Sequence, residues 1–199
     1  MELLQHNPQL SAYLAADEVV DHEHPLVRAT ATRLASRTHD AYSYAKAAFE
    51  YVRDEIPHSS DSGEPRVTWR ASDVLALRTG ICCAKAHALA ALLRAEGIPA
   101  AFCYQRLTEE GADPALHGLI ALKLPGAHAW ARQDPRGNVP PGVDAQFSLG
   151  TERLAWPVRT EFDEVDYPVL FDKPHPGVVA ALRAAPDRPS LWPIYPTEL

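Results

Sequence analysis

Apolar residues in the first half of the chain recur at intervals of three and four, the period of an amphipathic α-helix. We therefore expect helices over about 25–36, 40–56 and 72–77, and one helix over 8–20. The most apolar helix is predicted to run over about 82–96, where a Gly-Ile-Pro sequence ends it. The first half of the chain thus predicts a layer of helices.

The pattern changes after Pro99, where short apolar runs predict strands instead of helices. Strands are expected over 101–105, 119–124 and 129–133, the last two joined by a tight turn. The chain contains 18 prolines, many of them beyond residue 134, which argues against long helices there. Helices followed by antiparallel strands predict the α+β fold class, not a doubly wound parallel sheet.

Charge and composition exclude several classes of function. The 199 residues include 19 Lys and Arg against 26 Asp and Glu, a net charge of −7, so we expect no nucleic-acid partner. The chain has no run of 18 apolar residues, so we expect no membrane span. Three cysteines make a poor disulfide framework, and the first residues lack a signal-peptide pattern. A cytoplasmic location is expected, and the oligomeric state is left open.

The residues with candidate chemistry begin at Cys82, at the start of the most apolar helix. Free N–H groups and the positive end of the helix dipole stabilise a thiolate there and lower its pKa. Gly80 permits a sharp turn of the backbone just before it. Taken alone, the adjacent Cys82 and Cys83 are also compatible with two small buried apolar side chains.

A thiolate nucleophile needs a base, and the base needs a group that orients it. His117 lies near the predicted strand 119–124, and Asp134 lies 17 residues later, at the end of the next predicted strand. Two strands joined by a tight turn would bring these side chains together. Cys82, His117 and Asp134 are therefore predicted to form a catalytic triad.

The stretch Gly80-Ile81-Cys82, with the run Ala91-Leu92-Leu93-Arg94 after it, resembles the signature of the transglutaminase-like superfamily. That superfamily is built on a papain-like core. In its signature the nucleophile lies two residues after a Gly and twelve before the Arg, which points to Cys82 and not Cys83. The family's His that opens a strand resembles His117, and its Asp-Pro after a Trp strand resembles Asp134-Pro135.

The resemblance covers about residues 44–150 and implies a transglutaminase-like core, in which the nucleophile helix packs on an antiparallel sheet. We expect a single domain over 1–199, with a helical N-terminal extension over 1–43 and a Pro-rich C-terminal extension over 151–199. Stretches next to the motifs resemble a bacterial subgroup of the family whose function is poorly defined.

Two further side chains are candidates for contact with substrate. The resemblance implies an upstream aromatic residue that lines the oxyanion hole, and Trp69 is the available one, although packing is the simpler role for it. Gln105, in the first predicted strand, is a candidate polar group near the site, with a plain strand position as the alternative. The backbone N–H of Cys82 should itself contribute to the oxyanion hole.

A second reading of the histidine motif exists. The family's commonest form is His-Ala-Trp, and that string occurs at His128-Ala129-Trp130, which would make Asp144 the orienting residue. We prefer His117, because the residues after His128 run into Asp134-Pro135 and a turn sequence and do not form a buried strand.

The resemblance implies a cysteine-dependent hydrolase or acyltransferase that acts on amide bonds of peptides or Gln side chains through a thioester, as in a cysteine protease. A peptide or protein amide is thus the expected partner. The alternative is a catalytically silent interaction module on the same fold. His22 and His24 have a metal-like spacing without completing ligands, and no acidic calcium loop is present, so we expect neither a metal nor another cofactor.

Overall fold

The predicted layer of helices is present in the computed structural model, which describes residues 1–108 and 113–199. Its helices are α1 (Pro25–Ala35), α2 (Ala41–Glu55), α3 (Ser59–Ser62), α4 (Ala71–Leu77) and α5 (Cys82–Ala95). Two of them, α1 and α2, have a clear local reason to begin where they do. Pro25 occupies the first turn of α1, and Asp40 caps α2 by accepting a hydrogen bond from the backbone N–H of Ser43 at 2.7 Å.

The helix expected over 8–20 was wrong. Only a 3₁₀ turn forms there, over Leu10–Leu14. The side chain of Asp17 accepts hydrogen bonds from the backbone N–H groups of Val19 and Val20, at 2.8 and 2.7 Å. This local bonding competes with the helical pattern and turns the chain.

The second half contributes a small antiparallel sheet. Its strands are β2 (Ala100–Leu107), β3 (Ala115–Leu122), β4 (Ala131–Gln133) and β5 (Val165–Asp166), in the spatial order β4-β3-β2-β5. A separate parallel pair joins β1 (Leu4–Gln5) to β6 (Val169–Leu170), and the chain continues through α6 (Pro176–Ala184) and α7 (Arg188–Leu191). The α+β class, with the helix that begins at Cys82 packed on an antiparallel sheet, is confirmed.

The strand β3 begins four residues earlier than the apolar run suggests, at Ala115 instead of residue 119. His117 therefore lies inside the strand, directly opposite Gln105 of β2. This register places the side chains of His117 and Gln105 on the same face of the sheet.

Helix α5 is the centre of the core, and every residue from Cys82 to Arg94 is buried. It packs against α1, α2 and α4 as well as against β2 and β3. Side chains from both ends of the chain, such as Val27 and Leu182, join the same cluster. Among the described residues, no helix combines the length and the apolar character needed to cross a bilayer.

Gly118 sets how closely α5 approaches β3. A Cβ atom added to Gly118 would lie 2.3 Å from the Cys83 sulfur and 2.9 Å from the Cys83 Cα atom. The second of these is a backbone atom of the central helix, so it cannot move aside as a flexible side chain would. The absence of a side chain at Gly118 therefore lets the start of α5 lie directly on the strand that carries His117.

We predict that Gly118→Ala destabilises the fold by about 1–3 kcal/mol, because the methyl group overpacks the contact between α5 and β3. Urea unfolding followed by circular dichroism measures this change. Gly150→Ala is the matched control, since a Cβ atom there meets nothing within 4 Å. Equal midpoints for the two variants would show that the close approach is not required.

Candidate active site

Cys82 is the first residue of α5, and the backbone turns into the helix at Ile81, which is extended with φ −75° and ψ 173°. The first hydrogen bond of the helix runs from the backbone N–H of Lys85 to the carbonyl of Ile81, at 2.9 Å. The N–H groups before Lys85 are therefore not used within the helix. Cys82 is only 9% exposed, so its thiol is nearly buried at the start of the helix.

His117 and Asp134 form a buried pair. The Nε2 atom of His117 lies 2.8 Å from the Oδ2 atom of Asp134, and the two residues are 5% and 0% exposed. Asp134 accepts two more hydrogen bonds, from the backbone N–H groups of Arg136 at 3.1 Å and Ala155 at 3.0 Å. These donors fix the carboxylate, which in turn fixes the ring of His117 with Nδ1 left for the thiol.

The charged forms of Cys82, His117 and Asp134 stabilise one another. A hydrogen bond from Cys83 and the positive charge of His117 lower the pKa of Cys82, although burial opposes this. Burial alone would lower the pKa of His117, but the charges of Asp134 and Cys82 raise it to about 10. Burial would raise the pKa of Asp134, and the charge of His117 holds it below its usual value. These directions favour a thiolate on Cys82 beside an imidazolium on His117.

The other two thiols have the opposite character. Burial raises the pKa of both Cys83 and Cys103, so each stays protonated at neutral pH. The hydroxyl of Tyr195, from the C-terminal segment, donates a hydrogen bond to the sulfur of Cys83 at 2.8 Å. Tyr195 thus donates to Cys83, and Cys83 in turn donates to the Cys82 sulfur.

Trp156 covers the histidine. Its ring meets the His117 ring edge to face, with centroids 5.3 Å apart, and the guanidinium of Arg136 lies 4.9 Å from the Trp156 ring centre. This residue belongs to the segment after Asp134. Sequence reasoning missed this role, because no spacing rule links Trp156 to either partner.

The two candidates for substrate contact are placed differently. Gln105 is 1% exposed, beside His117 in the sheet, and its Oε1 atom has no hydrogen-bond partner within residues 1–108 and 113–199. The ring of Trp69 lies under the guanidinium groups of Arg70 and Arg183, at 4.1 and 4.7 Å from its centre. Contact of either side chain with an oxyanion stays a prediction.

The structure brings His117, and not His128, to Asp134. His128 is exposed, in the segment between β3 and β4. Asp144 is also exposed, and it forms an ion pair with Arg153 at 2.8 Å. Within residues 1–108 and 113–199, no group of three or more His, Cys, Asp or Glu side chains is arranged to hold a metal ion.

A sequence model of the transglutaminase-like superfamily matches residues 28–134, which is more than half of the chain and ends at Asp134. The chain belongs to the transglutaminase-like superfamily. The matched region contains Cys82, His117 and Asp134, and it begins within α1. The family therefore accounts for the helical layer, the nucleophile helix and the first strands of the sheet.

A solved structure from Cytophaga hutchinsonii, proposed to be a cysteine protease, is similar to this transglutaminase-like chain with a TM-score of 0.54 and 20% sequence identity. The similarity covers 65% of this chain and 43% of that one, so this chain spans less than half of the length of that protein. At this identity the likeness concerns the fold. No curated protein sequence matches the chain.

We predict that iodoacetamide alkylates Cys82 of this transglutaminase-like protein well before Cys83 and Cys103 at about pH 6.5, below the ~8.5 of a free thiol. The lowered pKa of Cys82 keeps thiolate present at that pH, whereas the raised pKa of the other two keeps them protonated. Peptide mapping by mass spectrometry measures the rate at each cysteine. Equal, slow labelling of all three would contradict the ion pair.

Proposed function

We propose that this protein is a cysteine-dependent hydrolase that cleaves amide bonds of a peptide or protein through a thioester on Cys82. One observation carries the proposal: the buried pair of His117 and Asp134, 2.8 Å apart, lies beside a thiol at the start of a helix. The pair supplies a base in a fixed orientation, and the helix start supplies donors for developing negative charge. Membership of the transglutaminase-like superfamily supports the same chemistry.

The first half of the reaction forms the thioester. The thiolate of Cys82 attacks the amide carbonyl carbon, and the carbonyl electron pair moves onto oxygen. The backbone N–H of Cys82 donates a hydrogen bond to this oxyanion, and the dipole of α5 favours its charge. The imidazolium of His117 then gives its proton to the amide nitrogen, the C–N bond breaks and the amine leaves.

The second half consumes water. His117, now neutral, takes a proton from a water molecule as the water oxygen attacks the thioester carbonyl. The C–S bond breaks, the carboxylic acid leaves, and Cys82 departs as a thiolate. His117 keeps the proton, so the resting ion pair is restored. Asp134 stabilises the charged ring throughout and holds its tautomer.

Hydrolysis is favoured over transfer to an amine. Both reactions share the thioester, but transfer requires that water be excluded while an amine still reaches the carbonyl. Water is in large excess over any dilute amine, and water needs no second channel to reach the thioester on Cys82. We therefore propose hydrolysis without a metal requirement, on a cytoplasmic peptide or protein substrate.

We predict turnover of fluorogenic peptide amides or an activated ester that is unchanged by a chelator, with acid formed in excess over product bearing a labelled amine. Cys82→Ala abolishes it, and His117→Ala lowers kcat by about 10²–10⁴-fold, because general acid–base catalysis is lost. Asp134→Asn also lowers kcat. The matched controls His128→Ala and Asp144→Asn leave the rate unchanged, since both residues are exposed and away from the site.

Three outcomes would contradict this function. Loss of turnover with chelator would indicate a metal-dependent reaction. Incorporation of the labelled amine in excess over acid would indicate an acyltransferase. No turnover of any amide or ester, together with an unreactive Cys82, would favour the interaction module.

A further inference from the structure

A second histidine lies against the nucleophile. His58 precedes α3 and forms a parallel β-bridge with Gly80, two residues before Cys82. The neighbouring backbone N–H of Ser59 donates to the carbonyl of Gly80 at 3.1 Å. The segment between α2 and α3 is thus attached to the turn that precedes Cys82, and it carries the His58 ring with it.

The ring of His58 is buried without a full set of partners. The residue is 8% exposed, and its Nδ1 atom has no hydrogen-bond partner among the described residues. An oxygen of the Asp61 carboxylate lies 4.0 Å away from it. A buried polar atom without a partner is costly and calls for an explanation. The ring also makes a side-chain hydrogen bond to Cys82, which adds to the effects of Cys83 and His117 in lowering the pKa of that thiol.

His58 and His117 differ in the carboxylates that face them. Asp61, beside His58, is already engaged by the guanidinium of Arg136 in two hydrogen bonds of 2.5 and 2.8 Å. Asp134, beside His117, accepts hydrogen bonds from two backbone N–H groups and from the ring itself. The charge of Asp61 is therefore balanced without His58, whereas the charge of Asp134 is balanced by His117. This favours a hydrogen-bonding role for His58 instead of proton transfer.

The same arginine connects the two histidines. The backbone N–H of Arg136 donates to Asp134 at 3.1 Å, while its side chain holds Asp61. One residue thus fixes the position of the carboxylate behind His117 and of the carboxylate behind His58.

We propose that His58 is a catalytic residue that donates an imidazole N–H to the Cys82 sulfur at rest and to the substrate oxyanion after attack. It completes the oxyanion hole together with the backbone N–H of Cys82, and the proposal rests on the proposed function. When the thiolate attacks, negative charge leaves sulfur and appears on the carbonyl oxygen next to it. An N–H group that donates to the sulfur is close enough to donate to that oxygen after the attack.

Three substitutions at His58 separate hydrogen bonding from ionisation. His58→Asn and His58→Gln place an amide N–H near the positions of Nδ1 and Nε2 and do not titrate near neutral pH, whereas His58→Leu removes the donor. We expect His58→Leu to raise the apparent pKa of Cys82 alkylation by about one unit and to lower kcat by about 10²–10³-fold. One of the two amide variants should recover at least about ten-fold of the lost rate.

His22→Leu is the matched control, because His22 also has a buried Nδ1 atom without a partner, and its Nε2 atom bonds to the carbonyl of Leu14 at 3.1 Å, away from Cys82. It should leave the pH profile of alkylation unchanged. Should His58→Leu fail to fold, the two amide variants carry the test. If both amide variants fold, as judged by thermal unfolding, and neither recovers the lost rate, the proposal is overturned.

The pH profile also separates this inference from the proposed function. If His117→Ala raises the apparent pKa of Cys82 and His58→Leu does not, the role of His58 is overturned and the hydrolase stands. If His58→Leu shifts the profile but no amide or ester is turned over, His58 still stabilises the thiolate and the hydrolase proposal fails. An unshifted profile in both variants overturns both.

Discussion

The structure depends on the burial of three ionisable side chains at one point. Cys82, His117 and Asp134 are all less than 10% exposed, and an isolated charge in such a place would be prohibitively costly. The charged form of each side chain has a partner: the start of α5 and His117 for a Cys82 thiolate, Asp134 for a His117 imidazolium, and backbone N–H groups for the Asp134 carboxylate. The helix, the strand and the loop after β4 must all keep their places for these charges to remain buried.

The parts of the chain that satisfy this requirement are distant in sequence. Gly118 lets α5 lie on β3, so that the Cys82 thiol lies beside the strand that carries His117. Ala155 and Trp156 reach the pair from the loop after Asp134, and Tyr195 approaches Cys83 from the C-terminal segment. The C-terminal segment thus packs against the transglutaminase-like core at the site. The site is an assembly of segments around one helix start.

The sequence patterns predicted the three central residues of the site but not the residues that surround them. The helix start at Cys82 and the 17-residue spacing between His117 and Asp134 are both visible in the sequence, because strand pairing converts that spacing into proximity. Trp156 and His58 left no such signal, since their contacts join segments with no fixed spacing. The helix expected over 8–20 failed because the side chain of Asp17 bonds the backbone locally.

The protonation state of His117 at neutral pH tests the central claim most directly. Nitrogen-15 NMR of the histidine side chains reports whether one or both ring nitrogens carry a proton. We expect His117 to be an imidazolium at pH 7 and to remain one well above it, with Cys82→Ala lowering its pKa because the thiolate charge is removed. A neutral His117 ring at pH 7, unaffected by Cys82→Ala, would show that no thiolate–imidazolium pair exists and would contradict the account.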